Sequence, residues 1–309
     1  MDGIHDKISI LLWLYHTDLA DEFYQWLSPL KDHIDLHLSL CKDNNNSKAI
    51  EQLSTLNPVT VNFYPNTGAD IYSFIHDIFD VNNPYFIKLH SKKSGWGRYK
   101  HANWRHILID SFIGSSDTLN NNHSLLKSYN GKYLCSAPFI CENQEIFHEK
   151  KIKQLSHMIS LPKLKNKQKI FSAGNMFGGN TSFFQNTIRP YKTKLKNLLA
   201  REQGKVEEES GTYCHSLERI FGYMCQPDMV FTRGRTIKIR IVGQNIRQKN
   251  LHFSITKFND IYCLEQPSIY GNIQEFSENN LQIFWLNTDS LENYRFIGNN
   301  TYINTKHVT

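Results

Sequence analysis

Residues 66–94 read NTGADIYSFIHDIFDVNNPYFIKLHSKKS. Pro65-Asn66-Thr67-Gly68 has the composition of a turn. From Asp70 to Phe79, apolar residues recur at helical spacing and predict a helix. Residues 85–89 are a short apolar run with a strand's length, and they lead into the polar, basic loop His90-Ser91-Lys92-Lys93-Ser94-Gly95. Turn, helix, strand and loop make one repeat of an α/β fold.

The flanking sequence continues the alternation. Upstream, residues 8–15 are a continuous apolar run and read as a buried parallel strand. Asp18 is a candidate N-cap for a helix over 19–30, followed by strands at 34–40 and 59–64 with a helix candidate at 48–56 between them. Downstream, 104–112 and 123–129 look helical and 132–137 looks like a strand. The apolar segment 170–176 runs into Gly178-Gly179, and 187–200 and 216–225 are helix candidates. Strands alternating with helices indicate a mostly parallel sheet covered on both faces. Beyond Arg235 the period changes. Residues 237–241, 251–255 and 281–283 alternate apolar with polar, which predicts short strands. The expected organisation is therefore an α/β domain over 1–234 and a small β-rich module or extension over 235–309.

The chain has 309 residues, 40% hydrophobic and 21% charged, enough for a sizeable core. A net charge of +6 favours anionic partners without choosing among them. The six cysteines form no C-x-x-C pair and no zinc-ligand spacing, so reduced, buried thiols of a cytosolic protein are expected. No apolar run approaches the roughly 18 residues of a membrane-spanning helix. Localisation in the cytoplasm is the expectation. The basic stretch 149–169, with apolar residues interspersed, could rest against an acidic membrane face or be a solvated loop.

In open α/β sheets, ligands bind beyond the carboxyl ends of the strands. Two loops qualify. In the first, Gly68 would let backbone approach a ligand, and Asp70 would accept hydrogen bonds from a base or ribose. Asn66 belongs to the same loop. In the second, His90, Lys92 and Lys93 could neutralise a diphosphate directly. Each loop also reads as an ordinary turn. The continuation Gly95-Trp96-Gly97-Arg98-Tyr99 would act as a lid, and His16, at the end of the first strand, could line the same pocket.

These residues resemble the rhamnan synthesis protein F family, whose members assemble bacterial cell-wall and lipopolysaccharide glycans. The resemblance rests on the two loops and on two later segments in the same order, Ser172-Ala173-Gly174-Asn175-Met176-Phe177 and Tyr213-Cys214-His215-Ser216-Leu217-Glu218-Arg219-Ile220-Phe221. It spans residues 8–225. It implies a GT-A-like (Rossmann-like) fold and transfer of a sugar, rhamnose or another hexose, from a nucleotide-diphosphate donor to a growing surface polysaccharide (capsule, O-antigen or cell-wall glycan). The implied roles place Glu218 as catalytic base with His215 beside it. Asn66, Gly68, Asp70, His90, Lys92, Lys93 and His16 face the donor, and Met176, Asn175 and Trp96 face the acceptor. Many nucleotide-sugar transferases hold a divalent metal with a D-x-D pair. This chain contains no D-x-D, so neither metal nor other cofactor is expected.

The expected partners are a nucleotide sugar, a glycan or lipid-linked glycan acceptor, and an acidic membrane surface. The rival reading, supported by the missing D-x-D, is an inactive transferase-like domain that binds glycan as a scaffold. Nucleic acid is not an expected partner, because no recognition motif occurs and the lysines do not concentrate on one helix.

Overall fold

β1 (Ile8–Leu14) is buried at every position, as its unbroken apolar sequence requires of a central strand. It pairs in parallel with β2 (Ile34–Cys41) on one side and β4 (Tyr85–His90) on the other, while β3 (Thr60–Tyr64) pairs in parallel outside β2. The crossovers between these strands carry α1 (Ala20–Leu27), α2 (Ser47–Ser54) and α3 (Ala69–Asp77). The computed structural model describes residues 7–93, 102–136, 140–142, 148–161, 170–202, 211–225, 228–232, 240–242, 255–258, 261–264, 294–298 and 301–304. The chain divides into two units, Met1–Thr232 and Arg233–Thr309.

The first unit continues with α4 (Ala102–Ile113), α5 (Ser116–Ser128), β5 (Tyr133–Ser136), β6 (Ile140–Glu142), α6 (Glu149–Met158), β7 (Ile170–Ser172) and β8 (Phe177–Asn180). It ends with α7 (Thr181–Ile188), α8 (Lys192–Leu199), α9 (Tyr213–Met224) and β9 (Met229–Thr232). Among the described residues its main sheet has seven strands in the order β3-β2-β1-β4-β8-β5-β9. Only β8 is antiparallel to its neighbours. This is the mostly parallel, helix-flanked sheet that the alternation of strands and helices predicts.

β8 was not legible as a strand, because Gly178-Gly179 carries no side-chain pattern. The glycines are there because backbone crowds both positions. A Cβ on Gly178 would lie 2.9 Å from the Phe86 carbonyl oxygen, and one on Gly179 would lie 2.7 Å from that of Lys132. Their bareness also lets aromatic rings close over the sheet. Phe74, Phe86, Phe177, Phe184 and Phe221, from α3, β4, β8, α7 and α9, pack with ring centroids 5.2–5.9 Å apart. Burying a phenylalanine side chain stabilises by about 1.5–3 kcal/mol. The cluster therefore ties these elements into one body.

Three expectations are corrected. Asp18 does not cap α1, for it sits in a 3-10 turn (Thr17–Leu19) and its carboxylate pairs with Lys93. The helix expected over 187–200 is broken by a 3-10 turn, Arg189–Tyr191, because Pro190 offers no N–H and crowds the preceding turn. The basic stretch begins as a helix, α6, that buries Ile152 and Leu155. No helix among the described residues is long and apolar enough to cross a membrane.

In the second unit the described elements are all strands. β10 (Arg240–Val242) is parallel to β14 (Thr301–Asn304), β13 (Tyr294–Gly298) is antiparallel to β14, and β11 (Ile255–Phe258) forms an antiparallel pair with β12 (Ile261–Leu264). The strand expected at 281–283 lies outside the described residues.

Candidate functional site

The turn before α3 is shaped by the chain behind it. Gly68 is the N-cap of α3 in the left-handed region, φ 57°, and a Cβ there would approach Leu199 Cβ to 2.7 Å. Its N–H donates to the Glu202 carbonyl at 3.1 Å, and the Thr67 hydroxyl donates to the Leu199 carbonyl at 2.8 Å. Gly68 thus allows the end of α8 to approach closely, and it is itself buried. This corrects the expectation that it makes room for a ligand.

One turn into the molecule lies a buried polar cluster. Lys88, in the middle of β4, is only 2% exposed. Its Nζ donates to Asp70 Oδ2 and, at 2.8 Å, to the carbonyl of Asn175. Asn175 Nδ2 donates to the same Asp70 oxygen. His90 Nε2 donates to the Gly174 carbonyl at 2.8 Å, and the Gly174 N–H donates to Glu218 Oε1 at 2.9 Å. Gly174 and Asn175 both occupy the left-handed region, φ 91° and 56°. The turn between β7 and β8 is therefore held by α3, β4 and α9 together.

The electrostatics follow from this packing. Burial works against the Asp70 carboxylate, but His90, Lys88 and Lys92 outweigh it and hold its pKa down to about 2. Burial lowers the pKa of the Lys88 ammonium, opposed by Asp70 and Glu218. Burial takes His90 down to about 4, so its imidazole is neutral at pH 7 with the proton on Nε2. The expectation of His90 as a cation facing a diphosphate is corrected accordingly. Burial also lowers the pKa of His215, against the pull of Glu218. The charge of Lys92 acts on Asp70, His90 and His215.

The neighbouring rim is built on the end of β1. The Ser91 hydroxyl accepts the His16 N–H at 2.8 Å, and Tyr15 OH accepts from Asn66 Nδ2 at 3.2 Å. The Tyr15 carbonyl accepts from Asn44 Nδ2 at 2.6 Å. Lys93 pairs with Asp18 at the exposed edge. Arg105 grips Glu22 through two nitrogens, at 2.7 and 2.6 Å, and donates to the Lys92 carbonyl at 2.6 Å. Burial alone would raise the Glu22 pKa, but His106 and Arg105 bring it to about 2. This pair, with partners 83 residues apart, fixes the path of the Lys92 loop. Nothing local in the sequence signals it.

α9 is capped by Thr212, whose hydroxyl accepts the His215 N–H at 3.2 Å. The Glu202 carboxylate accepts the N–H groups of Tyr213 and Cys214, where the helix dipole favours negative charge. His215 and Glu218 share a face, and His215 meets His148 edge-on at 5.5 Å. Glu218 is 9% exposed, and its Oε2 lies 3.6 Å from Arg219 Nη1. Met176 has no exposed surface, which corrects its expected contact with an acceptor. Trp96 lies outside the described residues. Among the described residues no group of three His, Cys, Asp or Glu side chains could hold a metal ion.

The structure brings Asp70, His90, Asn175 and Glu218 into one cluster and sets His16, Asn66 and Lys93 on its rim. The residue missed by sequence reasoning is Lys88. A lysine inside the apolar run Phe86-Ile87-Lys88-Leu89 was the available signal, because a charge buried in a strand needs a partner.

A model of the protein family described as rhamnan synthesis protein F matches residues 2–229. No curated protein sequence matches the chain. Among solved structures, the chain is similar to the X-ray structure of the mannosyltransferase Ktr4p from S. cerevisiae in complex with GDP, with 8% identity, 76% of this chain and 72% of that chain covered, and a TM-score of 0.37.

Proposed function

Because this chain belongs to the rhamnan synthesis protein F family, we propose that it is a glycosyltransferase that moves a sugar from a nucleotide-diphosphate donor to a growing bacterial surface polysaccharide. The observation that carries this reading is convergence. The segments around Asp70, His90, Asn175 and Glu218 are far apart in sequence yet bonded to one another beside the carboxyl end of β4, where open α/β sheets bind ligands.

In this reading Lys92, assisted at the rim by Lys93, neutralises the donor diphosphate, His16 lines the same pocket, and no divalent metal takes part. Tyr15 and Asn66 face the nucleoside. Glu218 takes the proton of the acceptor hydroxyl through Oε2, the oxygen not bound to Gly174, with His215 alongside. Asp70 acts from behind, as the partner of Lys88 and Asn175. The basic segment that begins with α6 rests against an acidic membrane face when the acceptor is lipid-linked.

One observation favours a second reading, an inactive glycan-binding scaffold. Asp70 and Glu218 both spend an oxygen on protein partners. The deciding experiment is release of nucleoside diphosphate from a panel of UDP-, GDP- and dTDP-sugars in the presence of a lipid-linked or synthetic glycan acceptor. Turnover that survives a chelator supports the main reading in full. Turnover abolished by chelator and restored by a divalent metal removes the cationic-loop account. Glycan binding without any turnover establishes the scaffold.

A further inference from the structure

We propose that Lys88 is a positioning residue for the transfer reaction, acting through the Gly174–Asn175 turn on the carboxylate of Glu218. The inference rests on the transferase reading above and assigns a role to a residue that never meets the substrate.

A lysine ammonium has three N–H donors and no acceptor. Lys88 commits two of them, one to Asp70 and one to the Asn175 carbonyl at 2.8 Å. The ammonium also lies 5.6 Å from the centre of the Phe177 ring and 6.0 Å from that of Phe74. The rings close off its remaining side and keep water from replacing the protein partners. The turn that it holds is conformationally costly, since Asn175 sits at φ 56° directly after Gly174 at φ 91°. Asparagine tolerates that region better than most residues, and its surroundings here hold it there. Here the surroundings are Lys88 on the Asn175 carbonyl, Asp70 on the Asn175 amide, His90 on the Gly174 carbonyl and Glu218 on the Gly174 N–H.

The consequence runs in one direction. Glu218 Oε1 is oriented by the Gly174 N–H, and the Gly174 N–H is where it is because Lys88 and Asp70 hold the next residue. Removing the Lys88 ammonium frees the Asn175 carbonyl and leaves the Asp70 carboxylate buried without its principal partner. The turn then relaxes and Glu218 loses its fixed orientation. The diphosphate rim, built on Lys92, Lys93 and His16, uses none of these bonds.

The test compares Lys88→Met with the double variant Lys88→Met/Asp70→Asn, which removes both buried charges while keeping an amide oxygen for Asn175 Nδ2. For Lys88→Met, kcat should fall about 100-fold, the scale of loss from misplacing a reacting group. The dissociation constants for UDP, GDP and dTDP should stay within about threefold, because the rim is left intact. The double variant should regain at least about tenfold in kcat over Lys88→Met, since no unpaired charge remains. Hydrogen exchange of the full chain should be faster in Lys88→Met over residues 172–177, with β1 and β2 unchanged. Wild-type kcat in Lys88→Met, nucleotide affinity lost in parallel with kcat, or a double variant no better than the single one would each overturn the proposal. If the wild type turns over no nucleotide sugar, the transferase reading fails by itself. The exchange measurement then decides separately whether Lys88 holds the turn, and unchanged exchange over 172–177 overturns that hold.

Discussion

Glu218 Oε1 accepts the Gly174 N–H at 2.9 Å, which joins α9 to the turn between β7 and β8 across 44 residues of sequence. One carboxylate oxygen is thereby structural, and the other, 3.6 Å from Arg219, is the one the proposed transfer would use.

This division separates two substitutions. Glu218→Gln keeps an acceptor for the Gly174 N–H but cannot take a proton. It should lower kcat by about 10²–10⁴-fold with the thermal midpoint near that of the wild type. Glu218→Ala loses the acceptor as well and should destabilise by about 1–3 kcal/mol. Steady-state kinetics and thermal melts of both variants measure the split, and a glutamine variant with normal turnover would exclude Glu218 as the base.

Lys92 and Lys93 should differ although they are adjacent. The charge of Lys92 acts on Asp70, His90 and His215, whereas Lys93 is paired with Asp18 at an exposed edge. Lys92→Ala should weaken nucleoside diphosphate binding by about tenfold, the low end of a lost hydrogen bond to a charged group. Lys93→Ala should cost about threefold or less, as exposed pairs do. Calorimetric titration at two salt concentrations tests the ranking, and equal losses would refute it.

The partly buried imidazole of His90 makes stability depend on pH. Its folded pKa, about 4, lies below the ordinary 6.5, so the unfolded chain binds the proton first. The contribution is complete above about pH 6.5 and is lost as pH falls from there towards 4, at about 1.4 kcal/mol per pH unit. Asp77 has the opposite sign. Burial raises it to about 6, against hydrogen bonds from Ser39, Tyr64 and Asn62, so its contribution is present at low pH and lost as pH rises from 3.8 through 6. Denaturant melts between pH 4 and 7 should therefore show a shallower slope for His90→Gln than for the wild type and a steeper one for Asp77→Asn. Matching slopes in all three proteins would contradict the assignment.

Gly179→Ala should destabilise by about 1–3 kcal/mol, the usual range for forcing an extra carbon into a packed interior. The new Cβ would meet the Lys132 carbonyl at 2.7 Å and the Phe184 ring at 2.9 Å. Backbone cannot yield as a flexible side chain can. An alanine variant as stable as the wild type would show that β8 is less tightly enclosed.

Most of the fold was legible because its signals are local. The run ISILLWL over 8–14 has to be buried whatever surrounds it, and the turn, helix and strand of 66–90 follow from spacing and composition alone. The signals weakened where side chains carry none. Gly178-Gly179 lacks the alternation by which a strand is recognised, and Pro190 divides a helix whose apolar spacing continues on both sides. The candidate site was legible as four segments rich in chemistry, but not as an arrangement.

By itself the sequence determined the α/β alternation, the family, and which residues bring charge to the strand ends. Only the tertiary structure decided what those charges do. Asp70, His90 and Glu218 look alike in sequence as ligands for substrate. In the folded chain each is directed at the Gly174–Asn175 turn, with Lys88 at the centre. The physical reason is that a charge taken out of water must be paired within the protein. Those partners come from β4, α3, α9 and a turn, and a single bond among them joins residues as many as 105 positions apart, a distance at which no sequence pattern operates.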